Sequence, residues 1–139
     1  MRNLLLPLAL SLATHVVLAQ SLQRDNLLGL HPIDVELNPG VTMEEFATFF
    51  VDKVLPEYEK QWVGLKGHLI QSVRGEYQNQ LAIVWVFATE PTRDHYFNTD
   101  GSPNELEMQA LDKVKPIEEE LKKNYGSYTV NYQDDWVVQ

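Results

Sequence analysis

Ile33, Val35 and Leu37 alternate with Asp34 and Glu36, the two-residue period of a strand with one apolar face. Asn38-Pro39-Gly40 closes that strand with turn residues. Thr42 followed by Glu45 forms a capping box, in which hydroxyl and carboxylate satisfy free backbone donors at a helix start. Phe46, Phe49, Phe50, Val54, Tyr58 and Trp62 then recur at helical spacing and give one strongly aromatic face. Pro56 lacks a donor and crowds the preceding turn, so it is expected to kink this helix or end its regular part. Gly64 and Gly67 mark a connection, His68 to Arg74 is extended in character, and residues 75–79 read as a hairpin loop. The run from Leu81 to Ala88 is apolar on both faces, which predicts a central strand covered on both sides.

Beyond it, residues 89–98 are expected to form a short helix with Pro91 in its first turn, followed by a turn at Asp100-Gly101. Ser102-Pro103-Asn104-Glu105 then reads as an N-cap, a proline at the first helical position and a capping-box glutamate. Leu106, Ala110, Val114, Ile117 and Leu121 follow at steps of three or four, carrying a helix through Pro116 to a stop near Gly126. Tyr128, Val130 and Tyr132 alternate with polar residues as a last strand. The order strand, helix, strand, strand, helix, strand predicts an α+β, ferredoxin-like fold: a four-stranded antiparallel sheet with two helices on one face. Helices cover only one face of such a sheet, so the doubly apolar third strand implies a second copy packed sheet to sheet, a homodimer.

The N-terminus changes this picture by subtraction. Arg2, the apolar run Leu4 to Leu18 and the small residues of Val17-Leu18-Ala19 match a secretory signal peptide cleaved after Ala19. A membrane anchor is the alternative, but this run falls short of the roughly 20 apolar residues that a spanning helix needs. The expected organisation is a signal peptide at 1–19, an N-terminal tether at 20–30 and one domain at 31–139, exported to the periplasm or secreted, with no membrane anchor after cleavage. The mature chain, about 120 residues long, is large enough to bury one core. It contains no cysteine, so neither a disulfide nor a lipidated cysteine is available to it. The whole chain carries 11 Lys and Arg against 20 Asp and Glu, a net charge of −9, and such a surface repels nucleic acid and anionic membranes.

Certain residues resemble the dimeric α/β-barrel superfamily, in particular its antibiotic-biosynthesis-monooxygenase-like and NIPSNAP-like branch. They are the segment from Val35 to Val41 leading into Phe46, Leu55-Pro56, Arg74-Gly75 and Arg93-Asp94-His95-Tyr96-Phe97, and the resemblance spans residues 31–138. It is nearest to an exported subgroup without assigned chemistry, and it implies the fold and the dimer. In monooxygenases and haem-degrading enzymes of this superfamily an Asn, a Trp and a His line a pocket between sheet and helices. Here the position equivalent to that tryptophan is near Tyr96, the histidine position falls among residues 105–109, and Asn38 sits in a turn. The triad is therefore not carried over.

Other residues invite chemistry. Trp85, Phe87, His68, Tyr96 and His95 are candidates for lining a ligand pocket in the barrel, although a tryptophan on a central strand is commonly core. Asp34 and Glu36 point away from the apolar set on their strand, either into a dimer barrel, where burial would suit them as bases, or to solvated positions at its mouth. His68, Asp34 and Glu36 are the weak catalytic candidates. His31, His68 and His95 show no metal-ligand spacing, so neither a metal nor another cofactor is implied. No phosphate loop, nucleophile elbow or cysteine nucleophile is present. Three functions remain: a barrel holding a small, largely apolar ligand, a cofactor-independent monooxygenase or isomerase, and a purely structural dimerisation module.

Overall fold

A single long strand, β1 (Leu27–Leu37), organises the sheet of the computed structural model, which describes residues 21–132 and 134–139. The expected signal peptide lies outside these residues. β1 begins at Leu27 and not at Ile33, so the end of the expected tether belongs to the sheet. Leu27 and Leu28 supply apolar side chains that pair with Phe87 and Val86 of β3. The remaining elements are helix α1 (Met43–Phe49), a π-helical turn (Phe50–Val54), α2 (Leu55–Gln61), β2 (Leu65–Gln71), β3 (Leu81–Phe87), α3 (Glu90–Asp94), α4 (Glu105–Asn124), β4 (Gly126–Val130) and β5 (Asp135–Val137). The strands run β2-β3-β1-β4, all neighbours antiparallel. This is the ferredoxin-like arrangement expected from the order of elements, with α1, α2 and α4 on one face.

Local chemistry sets the element boundaries. The Thr42–Glu45 capping box forms as expected. Pro56 brings neither an end nor a break: the helix relaxes into a π-helical turn just before it, with the Leu55 N–H reaching the Phe50 carbonyl. The N-cap of α4 is Asn104 and not Ser102, because the Asn104 Oδ1 accepts from the N–H groups of Leu106 and Glu107 at 2.9 and 3.2 Å. Asn38 has a structural role, donating to the carbonyls of Lys122 and Lys123 at the end of α4.

The last strand departs most from expectation. β4 pairs with β1 up to Val130 opposite Ile33, and β5 resumes with Asp135 opposite Gly29. The register of the last strand thus shifts by one residue between the two ladders. Pro32 falls in this gap. It has no N–H to contribute to a ladder, while its carbonyl accepts from the Asn131 N–H at 2.9 Å. The shift reverses the alternation, so Asp135 and not Asp134 shares a face with Gly29.

The core lies between the sheet and the helices. Ile33, Leu81 and Ile83 pack there against Phe46, Phe50, Val54, Leu55 and Leu121. Each such side chain contributes about 1.5–3 kcal/mol on burial. A smaller cluster of Trp62, Leu65, Tyr96, Ala110 and Val114 extends it towards the N-terminal half of α4. Gly126, where α4 turns into β4, has φ 152°, and a Cβ there would overlap the Glu36 carbonyl oxygen. Gly126→Ala is therefore expected to destabilise the fold by about 1–3 kcal/mol, read as a lower urea midpoint with unchanged slope. An unchanged midpoint would show that the junction yields freely.

Candidate functional site

The register of the sheet places Gly67, Trp85, Gly29 and Asp135 in one row across β2, β3, β1 and β5, on the helix-facing side. Both neighbours of Trp85 therefore lack side chains. On one flank the indole lies over Gly67, where a Cβ would stand 2.6 Å from Trp85 Cζ3 and 2.8 Å from Leu55 Cδ2. On the other, Gly29 leaves space taken by His31 and Asp135, since a Cβ would stand 2.7 Å from His31 Nε2 and 3.3 Å from Asp135 Oδ1. A cavity of about 580 Å³ opens over this row, between the sheet and the start of α4. Tyr58, Trp62, Trp85, Phe87, Phe97 and Tyr128 form most of its aromatic wall. Tyr58 stacks on Trp62 with centroids 5.2 Å apart and leans on Trp85 at the same distance.

Four polar side chains reach this aromatic space. Glu107, in the first turn of α4, is buried and accepts a hydrogen bond from the Trp62 indole N–H. Burial pushes its carboxyl above the usual range, against the opposing effects of that bond and of the Arg93 charge. Arg93, on α3, lies 4.0 Å from the centroid of Phe97 and has Asp94 at 3.3 Å and Asp135 at 4.0 Å. His31 is only 9% exposed, its Nδ1 has no hydrogen-bond partner, and Tyr132 meets its ring edge-on at 4.9 Å. Burial lowers its imidazole below the usual value, with Asp135 acting in the opposite direction, so it favours the neutral form.

Behind the wall, Glu118 Oε1 accepts from the hydroxyls of Tyr58 and Tyr128 at 2.9 and 2.8 Å. This one carboxylate ties α2, α4 and β4 together, and burial raises its own affinity for protons. Both phenols are held well above their ordinary range by burial and by the adjacent carboxylate. They use their protons on Glu118 and offer only acceptor lone pairs elsewhere.

Of the residues singled out from sequence, Trp85 and Phe87 line the cavity. The others do not line it. His68 pairs with Val84, which puts it on the opposite face of the sheet, together with Asp34 and Glu36; all three are exposed. Tyr96 is buried behind Trp62, and its hydroxyl oxygen accepts from the Val63 N–H at 2.8 Å. His95 is exposed at the end of α3. Its imidazole lies edge-on to Tyr96. Among the described residues, no three His, Asp or Glu side chains converge as a metal site would require. Sequence reasoning missed Glu107, Arg93, Asp135 and the unpaired His31. The available signal was glycine inside a strand, at Gly29 and Gly67, which marks a close approach or a vacated position.

Fold and site together define a ferredoxin-like α+β domain with an aromatic cavity beneath its helices. No family model matches the chain, and no curated protein matches it. Solved structures that match it include the following two. A dimeric protein of unknown function and ferredoxin-like fold from Bacteroides fragilis is 9% identical, with 83% of this chain and 98% of that one covered and a TM-score of 0.39. A de novo designed protein with ferredoxin fold is 18% identical, with 78% and 85% covered and a TM-score of 0.39.

The histidine gives the site a pH signature. Its folded-state affinity for protons is below that of the unfolded chain, so its contribution to stability is complete above about pH 6.5 and is lost as pH falls through the lower folded value. Glu107 and Glu118 act in the opposite sense, losing stability as pH rises from the ordinary carboxylate range through their raised values. Comparing wild type with His31→Gln isolates the histidine. Between about pH 7.5 and pH 5 the wild-type melting temperature is expected to fall further than that of the variant. Parallel profiles would contradict the burial of a neutral imidazole.

Proposed function

We propose that the chain is an exported, homodimeric binding protein for a small, largely apolar molecule held between its sheet and its helices. The observation that carries this reading is the cavity of about 580 Å³ with an aromatic wall and four polar side chains reaching it. Ligand sites commonly combine a mostly apolar, preformed space of about 300–1,000 Å³ with a few placed polar groups. A purely structural dimer has no use for such a space.

The dimer is supported by the opposite face of the sheet. Leu28, Ala82, Val84 and Val86 form its apolar centre, while Leu30, Ile70 and Trp136 are 37%, 44% and 61% exposed. A contiguous apolar face of this kind marks an interface. Its occupant in this reading is a second copy packed sheet to sheet, in keeping with the resemblance to the monooxygenase-like and NIPSNAP-like branch. Export rests on the pattern of residues 1–19.

A second reading, cofactor-independent oxygenation or isomerisation, is favoured by one observation. His31 lines the cavity and burial favours its neutral imidazole, as suits a general base. Turnover of a bound substrate would then fall about 100-fold or more in His31→Gln with binding retained.

Native mass spectrometry of the chain starting at Gln20, at low micromolar concentration, tests the main proposal. It is expected to give twice the subunit mass together with a small adduct that is lost on collisional activation. A bare monomer would defeat both the dimer and the binding reading, and a bare dimer would leave the structural reading standing in its place.

A further inference from the structure

The charges lining the cavity discriminate among ligands more sharply than its apolar walls do. Glu107 and Asp135 are acidic, Arg93 is the basic residue, and His31 is held neutral by burial. Arg93 is already engaged: Asp94 and Asp135 lie at 3.3 and 4.0 Å, and its guanidinium rests over Phe97. Glu107 is less well served. It is 9% exposed, and its hydrogen bond comes from the uncharged Trp62 indole. A buried carboxylate with a single neutral donor retains capacity for further donors and for a positive charge. An incoming anion would meet two carboxylates and an arginine already paired. The electron-rich faces of the surrounding aromatic rings also attract cations. Outside the cavity, the net charge of −9 raises the local concentration of positive ligands.

From this placement we infer that the cavity selects an organic ammonium joined to an aromatic ring, with the ammonium at Glu107 and the ring against Trp85 and Phe87. This inference rests on the binding reading above and specifies its ligand class. Arg93 takes no direct part in holding the cation. Its nearest carboxylate is Asp94, at 3.3 Å, and its charge acts on Glu107 without a hydrogen bond to it, so Glu107 keeps free acceptor capacity for the ammonium.

Three probes with the same ring and different charge test the inference by isothermal titration calorimetry at neutral pH: tryptamine, 3-methylindole and indole-3-acetate. Tryptamine is expected to bind about tenfold tighter than 3-methylindole, with indole-3-acetate weakest. Glu107→Gln is expected to cost tryptamine about tenfold and to abolish its preference over 3-methylindole. Asp135→Asn, at the more exposed edge, is expected to cost it less. Should Glu107→Gln fail to fold, the wild-type ranking and the Asp135 variant still decide. If indole-3-acetate binds tightest, or the three bind equally, the charge selection is overturned while the cavity stands as a binding site. If none binds and native mass spectrometry shows no adduct, both this inference and the reading beneath it fall.

Discussion

One tryptophan between two glycines governs the interior of this protein. Trp85 sits on the central strand of the sheet, facing the helices, and the register gives it Gly67 on one side and Gly29 on the other. An indole with side-chain-bearing neighbours would stand upright and fill the layer between sheet and helix. Here it lies across Gly67 and meets Tyr58, which in turn stacks on Trp62. His31 and Asp135 take the space that the second glycine vacates and stand at the edge of the cavity. The one-residue register shift between β4 and β5 completes the arrangement by bringing Asp135 onto this face.

Other parts of the structure keep that space open. Glu118 fixes Tyr58 and Tyr128 from behind by accepting a hydrogen bond from each, so neither ring is free to swing into the void without stranding a buried carboxylate. Glu107 similarly holds the Trp62 indole from the first turn of α4. Buried carboxylates are costly to desolvate, as their raised proton affinities show. Their contribution is orientation, and the surrounding core of Phe46, Phe50, Ile33 and Ile83 supplies the stability that offsets their burial.

Much of the architecture was legible because periodicity and caps are local. The alternation of Ile33, Val35 and Leu37, the capping box at Thr42 and the apolar run from Leu81 each identify an element without reference to the rest of the chain. The site was less legible, because it depends on which residues lie opposite one another across strands. Trp85 and Phe87 could be singled out as large and central, but their separation from His68 follows from a register that no single strand encodes. Asp135 was hidden by the register shift between β4 and β5, which falls opposite Pro32. Glu107 reads in sequence as an ordinary first-turn acid of a helix, and only tertiary packing makes it a buried partner of Trp62. The glycines of β1 and β2 were the one local clue, and reading them as tether and connection concealed it.

The row of Gly67, Trp85 and Gly29 leaves a standing cavity able to hold a flat ring. A crystal structure of residues 20–139 soaked with indole shows whether it does. The account requires a bound ring beside Trp85 and below Glu107, with the Trp85 indole still lying over Gly67. An indole-free interior in which Trp85 has rotated into the space over Gly29 would contradict it.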